Sequence, residues 1–161
     1  MNRPLPSLAL ILGILGLIPF VVCGLGALAN APPNDLRALL ALVAYGSVIL
    51  AFLGGVHWGF ALDADTSAPS RVQRSRLGLG VLPSLIGWVA ILIALLEFER
   101  IALALLVFGF ALTTVAEGRA SRAGFVPRGY MGLRWVLSSV VVVVLVTVWL
   151  VLMLHGRIVL W

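Results

Sequence analysis

A histidine and a tryptophan stand side by side in YGSVILAFLGGVHWGFAL, Tyr45 to Leu62, a stretch otherwise apolar enough to lie in hydrocarbon. The imidazole of His57 offers a hydrogen-bond donor, an acceptor and a proton-accepting nitrogen. Further along, Thr113, Thr114 and Glu117 are spaced so that two hydroxyls and a carboxylate share one helical face. Tyr130, Arg134 and Ser138 follow at intervals of four. A histidine, a carboxylate, a phenol and a guanidinium can do acid–base work, hold a polar head group, or pair helices with one another. Ionisable side chains in a span face the bundle interior and pair, because an unpaired charge at the bilayer centre costs about 3 kcal/mol or more. Glu117 is expected to pair with Arg134; the competing reading is that both mark span ends and reach out to water. For His57 a hydrogen bond that fixes helix packing competes with a ligand-binding or proton-handling role. Trp58 reads as an interface aromatic.

The chain that must position these groups is a membrane protein by composition. Hydrophobic residues make up 62% and charged residues 11% of its 161 residues, and the mean hydropathy is +1.17. A soluble domain is about a quarter charged. The length suffices for about five spans of roughly 20 residues and leaves no room for a folded soluble domain. The expected fold is all-α, a five-helix antiparallel transmembrane bundle forming a single domain over 1–161, with spans at 7–28, 36–62, 77–96, 101–116 and 133–154. The valine run at 140–144 would suit a strand, but a lone strand cannot satisfy its backbone in lipid. A secretory signal is the competing reading of the first span, whose apolar stretch exceeds the roughly 7 to 15 residues of an h-region. Pro19 lacks an amide donor and is expected to kink that span unless a neighbour satisfies the freed carbonyl.

All eleven basic residues are arginine, and the net charge is +5. In a soluble chain a pI near 11.1 would suggest nucleic acid. Here the arginines flank spans, where head-group attraction and topology explain them, so no nucleic-acid partner is expected. Eight (Arg3, Arg71, Arg74, Arg76, Arg119, Arg122, Arg128 and Arg134) fall on the side of the N-terminus, and three (Arg37, Arg100 and Arg157) on the other. The positive-inside rule then places the N-terminus in the cytoplasm and the C-terminus in the periplasm. Arginine without lysine, with abundant alanine, valine and leucine, fits a GC-rich bacterial genome and hence a multi-pass protein of the bacterial inner membrane.

Ser47, Ala51, Gly55 and Gly59 recur every fourth residue, with Gly54 on their flank. Such a face lets another helix approach backbone to backbone. The segment FLGGVHWG, with Phe52, Leu53, Gly54, Gly55, His57, Trp58 and Gly59, resembles the F-L-G-G-x-H-W-G signature of the membrane family defined by domain of unknown function 3429. PRGYMGLRWVLS is similar to that family's P-x-W-Y-x-x-L-R-x-x-L-T pattern at Pro127, Tyr130, Leu133, Arg134 and Leu137. Gly129 stands where the family has tryptophan, Ser138 where it has threonine, and Glu117 at about the place of an aspartate. The resemblance covers nearly the whole chain and implies a five-span membrane protein with no activity to carry over.

Two functions compete. The leading expectation is an accessory or scaffold component of a larger membrane complex or homo-oligomer, packed in the lipid bilayer through its small-residue faces. The alternative is a carrier or binding protein for a small molecule, its polar site formed by His57, Trp58, Glu117, Tyr130 and Arg134 near the cytoplasmic side. For an enzyme there is no nucleophile–base pair with local spacing, and Gly54 and Gly55 lie inside a helix with no following Lys or Ser to cradle phosphate. No catalytic residue is therefore assigned. His57 and His155 belong to opposite ends of the bundle, about a bilayer thickness apart, and cannot share a haem iron. Cys23 is the lone cysteine, so no internal disulfide can form. No metal site is expected and no cofactor is identified.

Overall fold

The structure is a computed structural model that describes residues 7–30, 32–62, 70–122 and 128–155. Its helices are α1 (Ser7–Leu15), α2 (Ile18–Ala29), α3 (Asn34–Leu62), α4 (Ser70–Leu95), α5 (Glu99–Arg122) and α6 (Arg128–His155). No strand occurs among the described residues. With α1 and α2 sharing the first span, these make a five-helix antiparallel bundle in which α3 packs on α2, α4 and α5, and α6 packs on α5, α2 and α1.

The first span, expected as one kinked helix, is two helices broken at Gly16 and Leu17. Pro19 has no N–H for the Leu15 carbonyl, and a proline ring clashes with the carbonyl four residues back, so the chain unwinds just before it. The Leu17 amide falls back to a tighter bond with Ile14, 3.0 Å. In the unwound stretch the Gly16 carbonyl accepts a hydrogen bond from the Tyr45 hydroxyl of α3 at 2.9 Å. An irregular backbone at membrane depth is tolerated where such a partner exists.

The helices outrun the apolar spans that mark them in the sequence. The 29 residues of α3 rise about 43 Å, against a hydrocarbon core of roughly 30 Å, so this helix tilts or projects. Between α4 and α5 the turn is tight: Phe98 N–H reaches the Ile93 carbonyl and Glu97 N–H the Ala94 carbonyl, at 3.1 and 3.0 Å. These are the two bonds of a Schellman cap, with Glu97 in the left-handed position at φ 66°.

The core runs along the bundle axis through Phe20, Leu42, Leu50, Leu103, Leu106, Phe110, Leu145 and Val148, all essentially inaccessible. Outward, Phe52 (65% exposed), Val143 (62%) and Leu154 (78%) belong to a girdle of exposed large apolar side chains. An apolar surface of that extent belongs in a bilayer. Among the described residues four helical stretches, Leu8–Ala29, Asn34–Gly59, Glu99–Arg119 and Gly132–Leu154, are long and apolar enough to cross a membrane; the apolar part of α4, Gly80–Leu95, is shorter.

Candidate functional site

Antiparallel packing brings the end of α3, the end of α5 and the start of α6 to one end of the bundle. His57 lies in the last two turns of α3, Glu117 in the last two of α5, and Arg134 in the second turn of α6. All three side chains are buried, Glu117 to 2% exposure. Arg134 Nε donates to Glu117 Oε2 at 2.6 Å, and Arg134 Nη1 donates to Ser138 Oγ, one turn on, also at 2.6 Å. Both distances are at the short end for hydrogen bonds to or from charged groups. The second carboxylate oxygen, Oε1, lies 3.9 Å from His57 Nδ1. That nitrogen is 3.1 Å from the Leu53 carbonyl; a carbonyl can only accept, so Nδ1 carries the proton and donates. His57 is thus tied to its own helix while lying against the carboxylate of another.

The ion pair uses one oxygen and one nitrogen where the two groups could have made parallel bonds. Glu117 Oε1 and Arg134 Nη2 are each buried without a hydrogen-bond partner. Leaving a buried polar group unpaired costs about 1–3 kcal/mol, so the arrangement holds unused hydrogen-bonding capacity on both sides of the pair. The threonines do not supply it. Thr113 Oγ1 donates to the Gly109 carbonyl at 2.7 Å and Thr114 Oγ1 to that of Phe110 at 2.8 Å, both within α5. Tyr130 falls in the first turn of α6, and its side chain lies outside the described residues.

Small residues organise a second contact, in a register other than the expected one. Ser47 and Gly54 are buried against α4, where a methyl group on Gly54 would collide with the Gly80 carbonyl oxygen and one on Gly87 would sit 2.9 Å from the Ser47 carbonyl oxygen. Gly55 and Gly59 have open space beside them, and Ala51 is half-buried. Residues four apart drift by about 40° per step around a helix, so a four-residue stripe rotates off its partner within three steps. The contact instead runs through Ser47, Gly54 and Trp58, which return to nearly the same bearing. Trp58 lies across Gly80, half-exposed, and its indole N–H donates to the Leu77 carbonyl at 3.2 Å. It is a clasp between α3 and α4.

Beside the ion pair, the break between α1 and α2 leaves a cavity of about 370 Å³ lined from α1, α2, α3, α5 and α6. Its walls are Leu12, Leu17, Phe20, Leu53, Phe110 and other apolar groups, with Arg134 as the charged residue in the lining. Phe20 stacks edge-on against Tyr45 and Phe110, with ring centroids 5.0 and 6.0 Å apart. Sequence reasoning did not single out Tyr45 or Phe20 for this role. The available signal was a tyrosine in an apolar span opposite a proline-broken one. Among the described residues no group of three or more His, Cys, Asp or Glu is placed to hold a metal ion.

Fold and site define a small polytopic helical membrane protein with a buried ionic cluster at one end. Residues 5–150 match the family described as "Protein of unknown function (DUF3429)", and the chain belongs to that family. It is 39% identical over 108 residues to transmembrane protein 69 of Xenopus tropicalis, covering 66% of this chain and 41% of that one. With transmembrane protein 69 of Mus musculus it shares 35% identity over 107 residues, 66% of this chain and 42% of that one. The matched region thus spans about two-fifths of the length of these curated relatives. No solved structure matches the chain.

Proposed function

We propose that the protein holds a small apolar molecule inside its helical bundle, as a membrane-embedded binding protein or carrier. The observation that carries this reading is the cavity of about 370 Å³ between the broken first span and the Arg134 end of α6. Its volume lies within the roughly 300–1,000 Å³ of small-molecule sites, and it combines apolar walls with one charged group. A discontinuous helix beside a polar centre is also how membrane carriers build their sites. On this reading the site lies on the cytoplasmic side of a bacterial inner membrane; the support is the positive-inside bias of the arginines and, for the bacterial membrane, the arginine-rich, lysine-free composition.

The test is photolabelling of the reconstituted protein with an alkane bearing a diazirine. Label is expected on α1, α3 and α6, and is expected to disappear in Ala9→Phe, which fills the cavity from α1. Labelling that is uniform over the outer surface and indifferent to Ala9→Phe sinks the reading.

An accessory role in a larger complex or homo-oligomer is the second reading. Its support is the outer face of α3, where Gly55 and Gly59 have open space beside them and Phe52 is exposed. Crosslinking from that face to another chain in native membranes would favour it.

A further inference from the structure

We infer that α1 is a hinged side gate of the cavity, swinging about the Gly16–Leu17 break to open it to the bilayer. The movement follows from how α1 is held; that it admits a ligand rests on the binding reading above.

The two halves of the first span are held unequally. In α2, Phe20 is inaccessible and packs against Tyr45 and Phe110. Gly24 of the same helix is buried, and a methyl group added to it would sit 2.8 Å from Val144. None of residues 8–15 of α1 is buried. This half meets α6 where Gly13 lies against Leu137 and Leu133. In lipid, leaving such a contact exposes no apolar surface to water. Hydrocarbon tails replace the neighbouring leucines, and α1 gives up only van der Waals packing.

A continuous helix could not swing in this way without breaking backbone hydrogen bonds in hydrocarbon, where no water replaces them. Here those bonds are absent before any movement. Pro19 has no N–H, and among the described residues no backbone hydrogen bond joins α1 directly to α2. The Gly16 and Leu17 amides bond back to Leu12 and Ile14, on the α1 side, and the Val21 amide bonds to Leu17, on the α2 side. Each half therefore keeps its own bonds through a rotation at the junction. The Tyr45 hydroxyl, 2.9 Å from the Gly16 carbonyl, ties the junction to α3. That bond makes the break a pivot.

Position completes the device. Ala9, Leu12 and Gly13 line the cavity, while Leu8, Ile11, Ile14 and Leu15 of the same helix are exposed and lie outside the lining. One short helix thus separates cavity from bilayer. With α1 swung out, the cavity opens between Phe52 of α3 and Leu133 and Leu137 of α6, which form other parts of its wall.

The experiment uses the full chain in lipid nanodiscs, with its lone cysteine removed as Cys23→Ser. Spin labels are placed at Leu8 or Ile11 of α1, or at Val22 of α2, each paired with Leu85 of α4, all of them exposed positions. Electron–electron double resonance is expected to give a spread of distances from both α1 sites and one narrow distance from Val22. Leu8 and Ile11 stand about 12 and about 8 Å along the helix from Gly16, so a rigid swing spreads the Leu8 distances about half as much again as those of Ile11. Pro19→Ala, which supplies a donor for the Leu15 carbonyl, is expected to narrow both. Distances from α1 as narrow as those from Val22 overturn the inference. So does a spread at Leu8 alone, which is fraying of a helix end, or a spread that survives Pro19→Ala.

Admission is read separately, with the alkane bearing a diazirine. Gly13→Cys and Leu137→Cys, in the Cys23→Ser chain, are joined by a short cleavable crosslinker that locks α1 to α6. Labelling of Phe20 and Val141 is expected to slow by about tenfold or more in the locked chain and to recover on reduction. Labelling that the lock leaves unchanged overturns the gate and leaves the binding reading intact. Absence of labelling in both states overturns the binding reading, while the distances still decide the movement.

Discussion

Along α3 and α4 the helices meet backbone on backbone, whereas along α5 and α6 they are held by a buried charge pair. In the first seam Gly54 faces the Gly80 carbonyl, Gly87 faces the Ser47 backbone, and Trp58 lies across the top. Lipid offers no hydrophobic driving force between helices, so close van der Waals contact over many atoms supplies the attraction, and the absence of side chains permits it. In the second seam Glu117 and Arg134 concentrate the attraction in one short bond among hydrocarbon, where the low dielectric strengthens it. The difference teaches where a ligand can act. A seam without side chains has no free valence to offer, while the charged seam leaves Oε1 and Nη2 buried without a hydrogen-bond partner, and Arg134 also contributes to the lining of the neighbouring cavity.

Removing one charge should separate the two seams most sharply. Glu117→Gln leaves Arg134 buried and uncompensated, and loss of one partner of such a pair costs about 3–5 kcal/mol. Unfolding of the reconstituted protein by denaturing detergent should show that loss. A cost below about 1 kcal/mol would mean that Arg134 finds water or another partner and that the pair is not what joins α5 to α6.

Gly54→Ala comes next. Its new methyl group lands on the Gly80 carbonyl oxygen, part of a backbone that cannot rotate aside, so the helices must separate at a cost of about 1–3 kcal/mol. The same unfolding measurement reads it, and no change would place the close approach elsewhere.

The smallest effect belongs to the neighbouring glycine and carries the opposite sign. Gly55 has open space beside it, so Gly55→Ala should be neutral or should stabilise by up to about 1 kcal/mol through helix propensity alone. If it instead destabilises the protein in its native membrane, another chain packs on that face, which would strengthen the accessory reading.

Much of the site was legible because helix spacing and antiparallel counting are local rules. Placing Glu117 with Arg134 needed only the end of one helix, the start of the next and the cost of a lone charge in lipid. His57 reached the same depth by the same counting, and its bond to Leu53 is a contact within one turn. The stripe of small residues was read a step off its bearing. Gly54 and Gly55 are identical in type, and only the position of α4 decides which is buried. The cavity was not legible, since it arises where Pro19 breaks one span while Tyr45 of another accommodates the break.

The sequence by itself determined that the chain is a helical membrane bundle and which polar groups share a level, because composition, hydrophobic length and helical period each act within a single segment. Only the tertiary structure decided which glycine meets a neighbour, which hydrogen-bonding atoms of the ion pair stay unused, and that Arg134 borders a cavity. Those outcomes depend on the rotation of each helix about its own axis, which is set by the sum of many weak contacts between segments distant in the chain.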